Sequence, residues 1–158
     1  MMPGKEDAYM QERDAFIRQL ELDDYDELMA LWQRTELHSL KPRGRDSRAG
    51  LSRQLASGVQ TILGLEVDGQ LVGAVVATHD SRKGWINRLA VDPNHRRRGY
   101  GARLIAAAEE VLREQGIHVI AALVGSDNRA SLALFRKVGY IEGDPGIHYL
   151  TKRDSDDA

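Results

Sequence analysis

The chain has 158 residues, a formal net charge of −2 and no cysteine. That length suits one domain with its own core, and the near-neutral balance gives no global field that would attract nucleic acid. The missing cysteines exclude a disulfide framework, a thiol nucleophile and a Cys-based metal site. The histidines at 38, 79, 95, 118 and 148 lack metal-ligand spacing, so no metal is expected. No apolar run approaches the roughly 20 residues needed to cross a bilayer, and the polar N-terminus does not read as a signal peptide. The expectation is a soluble cytoplasmic protein with no membrane partner.

Residues 1–12 are polar without periodicity and read as a flexible tail. Residues 13–153 read as a single domain, and 154–158 as an acidic tail. A first strand covers 16–20. A helix follows, capped by Asp23 or Asp24, with Tyr25, Leu28, Met29 and Trp32 on one face; Trp32 reads as core or pocket wall. Residues 36–50 form a polar stretch carrying Lys41, Arg43, Arg45 and Arg48, and a short helix covers 47–57. The runs 61–67 and 71–78, joined by Asp68-Gly69, read as a β-hairpin, and 84–91 as a third strand after the turn 80–83.

Next, Leu104, Ile105, Ala108, Val111 and Leu112 recur at helical spacing over 102–115, with Gly116 as the stop. Residues 117–124 read as a strand and 128–138 as a helix, capped by Ser126 or Asp127 and closed by Gly139. Tyr140-Ile141 and 147–150 supply final strands. Hairpins imply antiparallel pairing, while strand–helix–strand over 85–124 implies a parallel crossover. The fold class expected is a mixed α/β one.

The densest chemistry lies in residues 91–101, Val-Asp-Pro-Asn-His-Arg-Arg-Arg-Gly-Tyr-Gly, a basic loop between a strand and a helix N-terminus. Free backbone N–H groups and the positive end of the helix dipole make such a place an anion site. Arg96, Arg97, Arg98 and Arg103 sit where cations cost about 0.3–1 kcal/mol each when exposed, a conflict that a bound polyanion such as a diphosphate removes. Gly99 and Gly101, lacking Cβ, let an anion approach the backbone. A solvated basic turn is the plain alternative. No Gly-Lys-Ser/Thr follows, and no third glycine stands at dinucleotide-fold spacing, so neither of those nucleotide motifs applies.

Arg96-x-x-Gly99-x-Gly101, preceded by Leu89-Ala90-Val91-x-Pro93, resembles motif A of the GNAT superfamily of N-acetyltransferases. The resemblance implies that backbone N–H groups from Arg97 through Gly99, Tyr100 and Gly101 to Ala102 hold the diphosphate of acetyl-CoA, with Arg96, Arg98 and Arg103 beside it. It implies that the Leu89, Ala90 and Val91 edge pairs with the pantetheine arm. It also implies a mostly antiparallel sheet of six to seven strands with a central, splayed parallel pair around Leu89 and Ala122, flanked by about four helices. The segment from Asn128 through Leu134-Phe135 to Gly139-Tyr140 is similar to a second family motif, in which the Asn touches the pantetheine and a Tyr often stands where this chain has Phe135. A homodimer is plausible on the same resemblance.

The implied reaction is direct attack of a primary amine on the thioester in a ternary complex, with a strand N–H from 85–91 as oxyanion donor. Phe135 has no proton to give the leaving thiolate. Tyr140, with Tyr100 and Tyr149, is a candidate acid; Glu36, Glu66 and Asp80, with His38 and His79, are candidate bases, and the catalytic residues stay unassigned. Without an evident base, an α-amine or small-molecule amine is favoured over lysine, and a peptide remains a possible acceptor. A non-catalytic acyl-CoA-binding domain is the alternative, and a nucleic-acid module built on Arg96–Arg98 ranks last for want of interleaved aromatics.

Overall fold

The computed structural model describes residues 15–37 and 39–158; the expected tail 1–12 and His38 lie outside the described residues. Strand β1 (Ala15–Gln19) leads through a 3-10 turn to helix α1 (Tyr25–Arg34), followed by α2 (Arg48–Ala56). Strands β2 (Gln60–Val67), β3 (Gln70–His79) and β4 (Gly84–Val91) come next. A second 3-10 turn (Pro93–His95), α3 (Tyr100–Glu114), β5 (Ile120–Ala122) and α4 (Arg129–Lys137) complete the order.

The sheet runs β1-β2-β3-β4-β5, with antiparallel neighbours up to β4 and a parallel β4–β5 pair. Its two faces carry separate cores, because successive side chains of a strand point to opposite sides. On β3, Val75 and Ala77 pack with Leu104, Ile105, Ala108 and Leu112 of α3, whereas Ala74 and Val76 pack with Leu28, Leu31 and Trp32 of α1. Both faces of β3 are buried, which is why that strand is a continuous apolar run. The four α3 residues are fully buried, and each Leu or Ile among them contributes about 1.5–3 kcal/mol by leaving water.

The mixed α/β class holds, with two corrections. The sheet has five strands among the described residues, not six to seven, so the parallel pair lies at the sheet edge and not at its centre. The missing strands are those expected at Tyr140-Ile141 and 147–150. Ile141, Ile147, Tyr149 and Leu150 are exposed, and an apolar pattern makes a strand only where a neighbour covers it. The chain spends its hydrogen bonds on a turn instead, with Asp144 accepting from the N–H groups of Gly146 and Ile147. Within the expected strand 117–124 only Ile120–Ala122 pairs. The acidic C-terminus lies against the basic loop: Arg43 meets the Asp157 carboxylate at 3.1 Å, and Lys41 donates to the Asp156 carbonyl.

Candidate active site

A break in β4 shapes the site. Ala90 pairs with Ala74 and Asn87 with Val76, so Arg88 and Leu89 together face Val75, and the strand carries one extra residue. Arg88 holds a left-handed φ of 50°, which costs a non-glycine residue about 1–3 kcal/mol. Asp46 holds it there. This carboxylate, in a residue 4% exposed, accepts from both terminal nitrogens of the guanidinium, at 2.9 Å for the bond to Oδ2, and also takes the Lys41 N–H at 2.7 Å. The guanidinium lies 5.1 Å from the centre of the Trp32 ring.

On its other side β4 pairs with β5 only over Gly84–Ile86, against Ile120–Ala122. Beyond Ile86 the two strands pair no further, and a cavity of about 560 Å³ opens there, a size typical of small-ligand sites. Trp32 of α1, Val76 and Thr78 of β3, and Ile86 to Leu89 of β4 line it. Leu123 to Gly125, then Asn128, Ser131 and Phe135 of α4, form the facing wall, and Ser39, Arg45, Asp46, Leu51 and Gln54 close another side.

Beyond β4 the chain turns into α3. Asp92 accepts from the Asn94 N–H at 2.8 Å and from Arg34 Nε at 2.6 Å, tying α1 to the loop. Burial works to raise the Asp92 carboxyl, but the hydrogen bonds from Arg34 and Asn94 outweigh it and hold the group below its ordinary value. Gly99, the residue before α3, has φ +77° with open space where a Cβ would stand, so the backbone angle is what requires glycine there. The N–H groups of Gly99, Tyr100, Gly101 and Ala102 donate to no acceptor among the described residues; the helix ladder begins with Arg103 N–H to Gly99 C=O at 3.1 Å.

The predicted cofactor residues separate into three groups. Leu89, Asn128 and Phe135 line the cavity. Arg96, Arg97, Arg98 and Gly99 are exposed around the free helix end, with Gly101 and Ala102 half-buried in its first turn. Tyr100 and Ala90 are buried in the two cores, Val91 packs on the α3 side, and the Arg103 guanidinium donates to the Ala15 carbonyl at 3.0 Å. The Tyr100, Ala90 and Val91 side chains thus pack in the cores, while Arg103 is exposed. At Gly101 a Cβ would also stand 2.7 Å from Cδ2 of Leu134 on α4, so packing adds a second reason for a small residue there. Asn128 caps α4 through its side-chain oxygen, at 3.2 Å from the Ser131 N–H, in place of the expected Ser126 or Asp127.

Among the described residues, none of the acid or base candidates lines the cavity. Glu36 is exposed past α1. Glu66 pairs with Arg18 at 2.8 Å, and Arg18 also holds Asp24 at 2.7 Å. Asp80 accepts from the Lys83 and Arg82 N–H groups, which keep its carboxyl below the usual value, and His79 Nδ1 accepts from the Ser81 N–H. Tyr140 donates to Glu109 at 3.3 Å, and burial with that carboxylate pushes its phenol far above the ordinary value, so it is a poor proton donor near neutral pH. The ionisable groups that do line the cavity, among the described residues, are Arg45, Asp46 and Arg88. Asp46 and Arg45 lie in the polar stretch 36–50, where nothing local distinguishes them. The signal that points to the site is Arg88, a charged side chain inside the largely apolar strand 85–91.

Residues 16–140 match the Acetyltransferase (GNAT) family. The chain belongs to the GNAT acetyltransferase family. An acetyltransferase of Yersinia pestis is 32% identical over 124 residues, 78% of this chain and 86% of the relative. The aminoglycoside N-acetyltransferase AAC(6')-Iy, solved in complex with CoA, superposes with a TM-score of 0.72 at 18% identity, over 88% of this chain and 95% of that one. PaiA N-acetyltransferase from Thermoplasma acidophilum, in complex with coenzyme A, gives 0.70 at 20% identity, over 84% and 93%. The structural likenesses establish the GNAT fold, and family membership makes the chain an acetyltransferase. No helix among the described residues is long and apolar enough to cross a membrane.

Proposed function

We propose that this chain transfers the acetyl group of acetyl-CoA to a primary amine seated in the cavity beside the β4 bulge. The observation that carries the reading is that one strand joins both halves of the task. Its bulge and unpaired edge face the cavity, and the loop after it ends in a helix whose first N–H groups have no acceptor. In this reading the N–H groups of Gly99 to Ala102 take the diphosphate, and the exposed guanidinium groups of Arg96 to Arg98 surround it. The free edge at Leu89 to Val91 receives the pantetheine. Asn128, its oxygen committed to Ser131, keeps an NH2 to donate.

Acetyl transfer then proceeds by attack of the neutral amine on the thioester carbonyl carbon. A C–N bond forms, the C–S bond breaks, the amine proton passes to water and the thiolate leaves to be protonated from water. The extra residue of the bulge frees a backbone N–H at Arg88–Leu89, an oxyanion donor that needs no reorganisation. Holding both reactants in line supplies the larger share, on the order of 7–11 kcal/mol. Since Asp46 is already paired, the cavity offers no free carboxylate base among the described residues, and the amine must arrive neutral. At pH 7 roughly 10–17% of an α-amine is neutral against about 0.04% of a lysine, so an α-amine or a small-molecule amine is the better acceptor. The test is a thermal shift with acetyl-CoA followed by thiol release against an amine panel. A shift with amine-dependent release supports the reading, and neither effect defeats it.

A further inference from the structure

Resting on that reading, we propose that the acceptor carries a carboxylate beside its amine, and that Arg45 reads it. The cavity is lined by two guanidinium groups against one carboxylate. Asp46 is spent, with both oxygens taken by Arg88 and one by the Lys41 N–H. Arg45 keeps only the weaker contact with the same carboxylate: its Nε stands 3.9 Å from that Asp46 oxygen and, although buried, has no hydrogen-bond partner among the described residues. One of its terminal nitrogens reaches the Ser39 carbonyl at 3.0 Å, so the rest of a five-donor fork is available. Trp32 adds a second orphan, since this residue, 2% exposed and in the cavity wall, has a buried Nε1 with no acceptor among the described residues. Buried donors without acceptors are costly and rare, and these two lie beneath a donor-rich wall whose accessible part is the Arg45 guanidinium.

A carboxylate fits this set, because its two oxygens match a guanidinium fork. A polycation fits badly, since it would meet Arg45 with no unpaired carboxylate among the described cavity residues to balance it. Lys41 and Arg43 do not line the cavity and contact the Asp156 carbonyl and the Asp157 carboxylate of the chain's own tail, so the selective charge is Arg45 within the cavity. The arrangement also serves the chemistry. A carboxylate beside an amine holds the proton on nitrogen, and pairing that carboxylate with a guanidinium relieves the effect and frees the lone pair without a protein base.

The experiment measures kcat/KM of the full-length enzyme, with saturating acetyl-CoA, for free amino acids against the corresponding amino acid amides, plus a polyamine and an aminoglycoside. At least one free amino acid is expected to exceed its amide tenfold or more, and both polycations. Arg45→Gln should raise KM for that amino acid about tenfold, leave the amide nearly unchanged and keep the acetyl-CoA thermal shift, and Arg45→Lys should restore part of the preference. Equal or better use of the amides or polycations, no turnover of any free amino acid, or a preference unchanged in a folded Arg45→Gln enzyme would overturn the inference while leaving acetyl transfer intact. Loss of the acetyl-CoA shift in the unaltered enzyme would instead overturn the proposed function on which it rests.

Discussion

Asp46 and Arg88, 42 residues apart, form a two-bond ion pair in the cavity wall, and the arginine is the residue whose left-handed φ makes the β4 bulge. The pair is half structural and half functional: it sets the strand's shape and spends the cavity's only carboxylate among the described residues.

Removing one member of a buried pair strands the other, a loss on the order of 3–5 kcal/mol. Asp46→Asn should therefore lower unfolding stability by about that much, or somewhat less because the Arg88 side chain keeps 17% exposure. It should reduce kcat through the misplaced bulge while acetyl-CoA still binds at the α3 end. Urea unfolding and calorimetric titration test the two parts separately. Unchanged stability would show that the bulge does not depend on the pair.

The two glycines of the loop should respond differently. Gly99→Ala forces a Cβ into φ +77° and should cost about 1–2 kcal/mol. Gly101→Ala meets the flexible end of Leu134, and helix propensity offsets the crowding, so the expected change lies within about 1 kcal/mol. Denaturant midpoints of both variants decide it; equal losses would mean that α4 cannot yield.

Arginines near the loop divide by where their side chains go. Arg98→Ala should weaken acetyl-CoA binding several-fold at low salt, with the difference fading near 1 M, because the group is exposed and screened. Arg103→Ala should leave affinity nearly unchanged, since that guanidinium is turned to the Ala15 carbonyl. Calorimetry at two salt concentrations separates them, and a large salt-sensitive loss in Arg103→Ala would contradict the assignment.

Asp92 carries an acid-stability prediction. Its folded carboxyl lies below the ordinary value of 3.8, so the stabilisation from Arg34 is complete above that pH and fades as pH falls through the lower folded value. Arg34→Met should remove this contribution and move the acid-unfolding midpoint upward. A midpoint that stays fixed would show that the Arg34–Asp92 contact contributes nothing to stability.

What could be seen in the chain beforehand follows from the range of each interaction. The helix after Gly99 and the loop before it were legible because helical periodicity, glycine and arginine act within a few residues. The Arg88–Asp46 pair was not, since no local pattern reports a partner 42 residues away. Residues 147–150 have a strand-like composition, but strand formation depends on a neighbour that the local sequence does not specify. Tyr140 looks like a free acid in the sequence because the partner of its hydroxyl, Glu109 of α3, lies 31 residues away.

Phe135, 7% exposed in the cavity wall, stands in contact with the Tyr140 ring at 5.0 Å between centres. Phe135→Tyr adds one hydroxyl to that wall, so it should fold, and turnover should rise if thiolate protonation limits the rate. With the native residue the rate should climb with pH as the acceptor amine loses its proton. A limb near pH 6–7 abolished by replacing one Glu, Asp or His would expose a base acting on the amine.

The central claim is that this cavity joins a thioester acetyl group to an amine. Product analysis by mass spectrometry, run alongside thiol release with acetyl-CoA and the free amino acid panel, tests it most directly. The account predicts one N-acetylated amine formed for each CoA thiol released, with both dependent on the amine. Thiol release without an acetylated amine, or equal release when amine is omitted, would contradict it.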